Sequence, residues 1–320
     1  MKRFILKAAL FTLLVFGTLL GVIYIPPVDS EKYIWALVDK HRLLATVPRP
    51  RLIFAGDSNL AFGLNSRLIK NALHVNVINM GLHGGLGLIY SMDELKPYLH
   101  AGDTVILIPD YTHYAGPGIG DNTLIEISIV MPRILCTYSK QNIRPFISNI
   151  PFTFQRRFRG LLFPSKEDRT HRRSNFNEFG DNEGHIGLPQ PAVFKDVEYL
   201  YKVMPQLASM KIERFLPDRL NDDLVARLNE FHDYCRARGV TIYIGFPPLM
   251  EGNREKQETI LRSLEADLKQ RVAIPLIGDP LNYIYPRDYF FDNEFHLNGT
   301  GREIRTTRLI QDMKAILPQK

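Results

Sequence analysis

The amino-acid sequence predicts an α/β fold, a doubly wound three-layer α/β/α sandwich with a mostly parallel sheet, carried by one N-terminal transmembrane helix. From residue 51 onward, short apolar runs alternate with amphipathic helical patterns. These runs are apolar throughout, as expected for strands that are buried on both faces in a parallel sheet. A long uncharged run also follows Lys2, Arg3 and Lys7 at the start of the chain.

The uncharged run covers residues 8–25. As a helix it would span about 27 Å, close to the ~30 Å hydrocarbon core of a bilayer. No small-x-small motif ends it, which favours an uncleaved anchor over a signal peptide. Basic residues before the run predict a cytoplasmic N-terminus. Residues 1–28 are therefore expected to hold the domain on the periplasmic or other extracytoplasmic side of a bacterial inner (plasma) membrane.

The remaining elements are predicted in chain order. Residues 29–50 form a stalk helix (29–44) and a linker that contains Pro48 and Pro50. The domain, residues 51–320, begins with a strand at 52–55, a helix near 65–72, a strand at 75–78, a helix near 86–99 and a strand at 104–108. It continues with a helix near 221–238, a strand at 241–246, a helix near 254–269 and an apolar run at 274–277.

Between these two halves, residues of about 115–218 are rich in Pro, Gly, Arg and aromatic side chains. The segment is too long for a plain loop and predicts an insertion near the mouth of the site. We expect its arginines and residues 176–181 to be solvated surface. Binding to an acidic glycan, to lipid headgroups or to a partner protein remains an alternative.

Composition excludes several classes. The net charge of +6 is modest, and basic residues do not alternate with aromatic ones as they do on nucleic-acid surfaces. The histidines lack the spacing of a metal site, and residues 84–87 lack the acidic continuation of a nucleotide fingerprint. No cofactor, metal or nucleic acid is expected. A disulfide between Cys136 and Cys235 stays open, since an oxidising compartment would permit it.

The first candidate catalytic residue follows the first predicted strand, in the segment Ala55-Gly56-Asp57-Ser58-Asn59-Leu60. Ligand sites of doubly wound folds lie beyond the carboxyl ends of the strands. Ser58 stands there, and the N–H groups at the start of the next helix could stabilise an oxyanion. The alternative is that Asp57 or Ser58 is only an N-cap.

A second indication is the segment 291–298, directly before the last predicted helix, where Asp292 and His296 share one loop. A serine hydroxyl becomes a good nucleophile when a base removes its proton. A histidine base works best when a carboxylate holds its other nitrogen. Asp292 and His296 could take these two roles beside Ser58.

Gly56-Asp57-Ser58, the block Asn79-Met80-Gly81-Leu82-His83-Gly84-Gly85 and the segment 292–296 together resemble the SGNH, or GDSL, hydrolase superfamily in order and spread. The resemblance covers roughly residues 51–317. It implies a flavodoxin-like fold in which Ser58 is the nucleophile, His296 the base and Asp292 its orienting acid. It also implies an oxyanion hole built from the N–H groups of Ser58 and Gly84.

The chain departs from the family pattern in two places. The family has Asp three residues before His, whereas Asp292 lies four before His296, so Glu294 is a rival orienting acid. The family's oxyanion asparagine is missing from residues 109–113, where the hydroxyl of Tyr111 could donate instead. A lost donor can cost roughly a hundredfold in rate. His83 and His113 could assist or replace His296.

A membrane-anchored domain of this type also resembles the SGNH partners of membrane-bound O-acyltransferases. That resemblance implies transfer of an acetyl-like acyl group, through acyl-Ser58, to a cell-surface polysaccharide or glycolipid, with a multipass O-acyltransferase as partner. A carbohydrate or lipid O-acyl esterase is the second hypothesis. A catalytically inactive scaffold of a membrane complex is the third.

Overall fold

The computed structural model describes residues 1–24, 29–138, 140–163, 169–191, 194, 216–217 and 219–316. Over these residues the strands are β1 (Arg51–Gly56), β2 (Asn76–Asn79), β3 (Thr104–Ile108), β4 (Thr241–Ile244), β5 (Leu249–Met250) and β6 (Ile284–Tyr285). The α-helices are α1 (Lys2–Tyr24), α2 (Ala36–Thr46), α3 (Ser58–Gly63), α4 (Ser66–Leu73), α5 (Leu88–Leu95), α6 (Thr123–Val130), α7 (Lys140–Ser148), α8 (Ile150–Leu162), α9 (Asp222–Arg236), α10 (Arg254–Arg271) and α11 (Gly299–Ile316).

The main sheet has four parallel strands in the order β2-β1-β3-β4. Ile53 at the centre of β1 pairs with Ile78 on one side and Val105 on the other. The predicted α/β class with a parallel sheet is confirmed, and β3 has the predicted bounds. Because β2 and β3 flank β1, the chain reverses its direction of winding there, which is where such folds open a crevice.

The apolar run predicted at 274–277 lies along the free edge of β4. Ile244 forms a single parallel bridge with Leu276, and its N–H donates to Pro275 O at 3.0 Å. Ile277 N–H donates back to Ile244 O at 2.8 Å. Helices flank the sheet: α3 and α5 contact β1, α4 contacts β2 and α9 contacts β4. The sheet therefore has a covered apolar centre, with its strand ends left for the site.

Among the residues that the structure describes, one helix, α1, is long and apolar enough to cross a membrane. Most of its side chains are exposed, but Ile23 in its last turn is fully buried. The hydroxyl of Tyr24 lies 2.9 Å from Ser128 Oγ on α6. The end of α1 is thus attached directly to the folded domain.

The predicted stalk helix at 29–44 begins later than expected, because a 3-10 turn at Tyr33–Trp35 precedes α2. It packs into the domain through Leu37 and Leu44, against α6 and β2. The buried His41 adds a hydrogen bond with Glu94, with Nε2 2.6 Å from Oε1. This helix is therefore part of the domain's packing.

The insertion holds α6, α7 and α8, and then returns to the sheet through residues 169–191. Asp181 is fully buried and accepts hydrogen bonds from Ser66 N (2.8 Å), Ser66 Oγ (2.6 Å) and Asn79 Nδ2 (2.8 Å). The expectation that residues 176–181 are solvated surface is wrong for Asp181, because it satisfies donors at the ends of β2 and α4. Residues 192–215, apart from Phe194, and Asp218 lie outside the described residues.

Cys136 is exposed and Cys235 is buried, and neither forms a disulfide. Burial raises the pKa of the Cys235 thiol to about 12, so that thiol stays protonated and packs as a small apolar group. The possibility of one bridge, which the sequence left open, is therefore not realised in the structure.

Candidate active site

Ser58 is the first residue of α3, directly after β1. Asp57 is the N-cap, and its Oδ1 accepts the N–H of Asn59 at 2.9 Å. The capping role thus falls to Asp57, and Ser58 is left to line a pocket at the strand ends. As the first residue of a helix, Ser58 also has a backbone N–H with no partner inside that helix. This is the position that an oxyanion hole requires.

The block after β2 approaches the same turn. A Cβ on Gly81 would lie 2.4 Å from Leu60 Cβ and 2.5 Å from Asp57 O, so only glycine fits against α3 there. A Cβ on Gly84 would meet only Asp110 Oδ2, at 3.4 Å. Gly84 lines the pocket. Its lack of a side chain therefore leaves space for a ligand, whereas glycine at 81 is needed for packing.

His296 and Asp292 lie in a closed loop at the other wall of the pocket. His296 Nδ1 is 2.8 Å from Asp292 Oδ1, and the Phe291 N–H donates to His296 O at 2.8 Å, which closes the loop. The imidazole stacks on Phe62, with ring centroids 4.1 Å apart and planes 5° apart. The four-residue spacing from Asp to His thus still brings the acid to the ring nitrogen.

The loop also contains a residue that sequence reasoning did not single out. Asn293 Oδ1 accepts the N–H groups of Phe295 (2.8 Å) and His296 (2.9 Å), and its Nδ2 lies 2.8 Å from His296 Nδ1. Nδ1 can offer a hydrogen or a lone pair, but not both. Because Asp292 can only accept, the Asp292 bond sets the tautomer with the hydrogen on Nδ1.

Electrostatics agree with that pairing. Burial alone would raise the pKa of Asp292, but the charge and hydrogen bond of His296 outweigh it and lower this pKa. Glu294, the rival acid, is buried and lines the pocket. The described contacts of the His296 ring nitrogen are with Asp292 and Asn293. The structure therefore places Asp292, the acid that the sequence analysis preferred, beside His296.

A second acid and histidine cluster lies beneath Ser58. His113 Nε2 is 3.4 Å from Asp57 Oδ2, which also accepts the Asp110 N–H at 2.5 Å. Burial, with the charge of Asp57, raises the pKa of Asp110 to about 6. Burial would lower the pKa of His113, but Asp110 and Asp57 outweigh it and raise it. The raised pKa favours the protonated form of His113, and that form stabilises the carboxylate that caps the turn carrying Ser58.

Two groups within the described ranges gather potential metal ligands, with their ligand atoms within 4.8 Å of one another: Asp57 with Asp110 and His113, and His171 with Asp292 and His296. Sequence spacing could not find them, because each combines distant segments. In the first group, Asp57 already accepts N–H bonds on both oxygens. In the second, Asp292 is bonded to His296. Both carboxylates thus have hydrogen-bond roles.

Tyr111 does not reach the pocket, which corrects the prediction that its hydroxyl completes the oxyanion hole. The 3-10 turn after β3, Tyr111–Ala115, directs its ring into the core, where it is fully buried. Its neighbours Asp110, Thr112 and His113 line the pocket instead. A residue that follows a strand is turned inward or outward by the local turn, which chain position alone does not reveal.

His83 does line the pocket, and its Nδ1 accepts the Gly85 N–H at 3.0 Å. Burial lowers its pKa, so the neutral ring suits this acceptor role. The hydrogen bond shapes the turn that carries Gly84. His83 is therefore placed to hold the loop of the predicted oxyanion hole, next to the candidate base.

The insertion supplies two histidines that sequence reasoning missed. His171 lines the pocket, with its ring centroid 6.3 Å from that of His296. His185 is buried, and its Nε2 lies 2.9 Å from Leu297 O. Burial, with the charge of His296, lowers the pKa of His185 to about 4, so it is neutral and Nε2 donates to that carbonyl. It thereby holds the chain directly after His296.

Lys40 connects the insertion to the block after β2. Its buried ammonium donates to Asn79 O (2.8 Å) and Gly180 O (2.6 Å). Burial lowers its pKa from 10.5 to about 7, although Asp181 and Glu94 oppose the shift. Between pH 7 and about 10 the unfolded chain therefore binds one more proton than the fold.

We expect the unfolding free energy of the wild type, relative to Lys40→Met, to rise with pH over that interval. The slope is at most about 1.4 kcal/mol per pH unit, and the gain is lost as the pH falls through 7. Urea titrations at pH 7.5, 8.5 and 9.5 in detergent measure it. Parallel curves for the two proteins would show that the pKa of Lys40 is not lowered.

The pocket between these segments has a volume of about 520 Å³, within the usual range for small-molecule sites. Tyr33 joins its wall and donates from its hydroxyl to Leu82 O at 2.6 Å. No protein-family model matches the chain, and no curated protein matches it either. The functional interpretation therefore depends on the fold and on the geometry of this pocket.

Proposed function

We propose that the chain is a membrane-anchored SGNH-type serine enzyme that acts on acyl esters. The observation that carries the proposal is that Ser58 and His296 line one pocket, while Asp292 Oδ1 lies 2.8 Å from His296 Nδ1. With the hydrogen on Nδ1, Nε2 is the nitrogen with a lone pair. We propose that this nitrogen accepts the Ser58 proton.

In the proposed reaction, Ser58 Oγ attacks the acyl carbon as His296 Nε2 takes its proton. The N–H groups of Ser58 and Gly84 stabilise the oxyanion. The ester C–O bond then breaks, the departing oxygen receives the proton from His296, and acyl-Ser58 remains. An incoming hydroxyl gives its proton to His296 and attacks the acyl carbon of acyl-Ser58. The bond from that carbon to Ser58 Oγ then breaks, and His296 returns the proton to Oγ.

We propose that the second hydroxyl belongs to a cell-surface polysaccharide or glycolipid, so that the net reaction is acyl transfer. A multipass membrane-bound O-acyltransferase would supply the acyl group, since tethering raises the local concentration of a membrane-held donor. The domain would lie on the periplasmic side of the inner membrane. If water takes the place of the sugar, the same chemistry makes the protein a carbohydrate or lipid O-acyl esterase.

The finer fold assignment belongs to the same proposal. A three-layer, flavodoxin-like SGNH fold is supported by the strand order β2-β1-β3-β4 and by the parallel bridge of Leu276 on the free edge of β4. It is also supported by the meeting of the ends of β1, β2 and β3 around one pocket.

One observation favours an inactive scaffold as a second candidate. The family asparagine is missing, and Tyr111 is buried away from the pocket. Only two backbone donors are then proposed for the oxyanion hole. A scaffold would keep the pocket but lack an activated serine, so the same experiment separates the two functions.

That experiment is labelling of the full-length protein in detergent with a fluorophosphonate probe, which phosphonylates activated serines. We expect the wild type to be labelled and both Ser58→Ala and His296→Ala to lose labelling by at least about a thousandfold. Ser148→Ala, at an exposed serine, is the control and should label like the wild type. An unlabelled but folded wild type would favour the scaffold.

A further inference from the structure

The first part of the insertion has an unusual combination of side chains. Residues 131–163 contain six basic residues and no acidic one. The basic residues are Arg133, Lys140, Arg144, Arg156, Arg157 and Arg159. Large apolar side chains in the same segment are exposed, namely Leu135, Ile143, Ile147, Phe152, Phe158, Leu161, Leu162 and Phe163. Exposed apolar surface of this extent marks an interaction site, and its basic residues indicate an anionic partner.

The apolar and basic residues of α8 separate only in part around the helix, since helical periodicity places Arg157 on the apolar side and Phe152 between Arg156 and Arg159. Ile150, Phe154, Phe158 and Leu161 recur at helical spacing along one stripe, with Phe154 and Phe158 stacked at a centroid distance of 6.0 Å. Arg156 and Arg159 project from the opposite side by the same periodicity. A helix with an apolar stripe and a basic opposite face is typical of membrane interfaces.

The position of α8 identifies the partner. It packs against α1, the helix that is long and apolar enough to span a membrane. Leu161 lines a groove with α1 residues from Leu13 to Val22, a stretch of about 14 Å that includes Gly17 and Gly21. If α1 spans a bilayer, then the end of α8 lies at the depth of the acyl chains.

We propose that α7 and α8 are seated in the leaflet on the domain's side of the membrane. Their apolar side chains contact lipid acyl chains, while the arginines reach the phosphate groups of anionic lipids. Arg156 also forms an ion pair with Glu126 on α6, which attaches the segment to the domain. The occupant of this apolar surface is the bilayer in which α1 lies.

The same arrangement connects the pocket to the end of α1 through the short helix α6. The pocket residue Gly85 accepts the Asp121 N–H at 2.8 Å, just before α6, and Ser128 near the end of α6 contacts Tyr24 of α1. A helix of this length spans about 12 Å. The pocket therefore lies within reach of lipid-held substrates, a consequence that rests on the proposed function, whereas the membrane contact itself does not.

Fluorescence quenching in vesicles tests the membrane contact. Full-length protein with Cys136→Ser and Leu162→Cys is labelled with an environment-sensitive fluorophore. It is then reconstituted alone into phosphatidylcholine vesicles containing phosphatidylglycerol. Ile304→Cys on α11, another exposed apolar position, is the matched control. Lipids brominated in their acyl chains should quench the probe at 162 several-fold more than the probe at 304.

Two further outcomes are decisive. If aqueous iodide, and not the brominated lipid, quenches the probe at 162, the membrane contact is refuted and the surface is free for a protein partner. Adding Ser58→Ala should leave the lipid quenching unchanged, because the contact does not depend on chemistry at the pocket. A wild type that the fluorophosphonate fails to label, but in which the brominated lipid still quenches the fluorophore at 162, would overturn the proposed enzyme alone.

Discussion

Asp292→Asn is expected to slow fluorophosphonate labelling of Ser58 by about four orders of magnitude, the size of effect seen when the orienting acid of a serine triad becomes an amide. Asp292 Oδ1 lies 2.8 Å from His296 Nδ1 and can only accept a hydrogen bond. An amide nitrogen in its place would donate to Nδ1 and force the hydrogen onto Nε2. That nitrogen could then no longer take the Ser58 proton.

Glu294→Gln is the matched control, because Glu294 is buried, lies in the same loop and lines the same pocket. We expect it to change the second-order rate constant of labelling by less than about tenfold. Near-ultraviolet circular dichroism would verify that both variants keep their packing. If Glu294→Gln lowered the labelling rate constant strongly and Asp292→Asn lowered it little, the orienting role would belong to Glu294.

The comparison of these two acids shows what the sequence could not decide. Their distances along the chain from His296 differ by only two residues, and spacing alone favours neither. The choice depends on how the loop closes. Its closure comes from the Phe291 N–H bond to His296 O and from Asn293, whose side chain accepts two backbone N–H groups. Such side-chain to backbone bonds are local, but their pattern is visible only in three dimensions.

The sheet could be predicted because burial on both faces leaves a strong signal in each strand. The way in which the insertion is attached to the sheet could not be predicted, because it depends on single polar residues such as Asp181 and Lys40, whose partners are distant in the chain. Hydropathy suggests that Asp181 is exposed, whereas four buried donors, from Ser66, Asn79 and Arg302, satisfy it. His171 and His185 were missed for the same reason, since nothing near them in the sequence indicates the pocket.

Asn59→Ala is expected to lower the free energy of unfolding by about 3 to 5 kcal/mol, the range for breaking a buried charged hydrogen-bond network. Asn59 is fully buried directly after the proposed nucleophile. Its Nδ2 donates to Asp57 Oδ1 (2.7 Å) and Ile108 O (2.8 Å), and its Oδ1 accepts from Arg305 Nη2 at 2.9 Å. Alanine would leave all three partners without this side chain.

This network explains why Asn59→Ala should lower the free energy of unfolding more than the replacement of an ordinary asparagine would. Arg305 is fully buried on α11, and its Nη1 donates to Asn59 O at 2.8 Å, so Asn59 is its partner twice. Burial lowers the pKa of Arg305 to about 10, because removal from water disfavours the charged guanidinium. Its hydrogen bonds to Asn59 offset part of this cost. Asn76→Ala, which removes one hydrogen bond to Pro48 O at the edge of the sheet, is the control and should cost about 1 kcal/mol or less.

Urea denaturation of the full-length proteins in detergent compares the two variants, at equal m-values so that midpoints report stability. A loss in Asn59→Ala no larger than in Asn76→Ala would show that Arg305 and Asp57 find other partners. A large loss would show that the turn carrying Ser58 is fixed from α11 through one amide. The C-terminal helix, although distant in the chain, would then hold the proposed nucleophile turn.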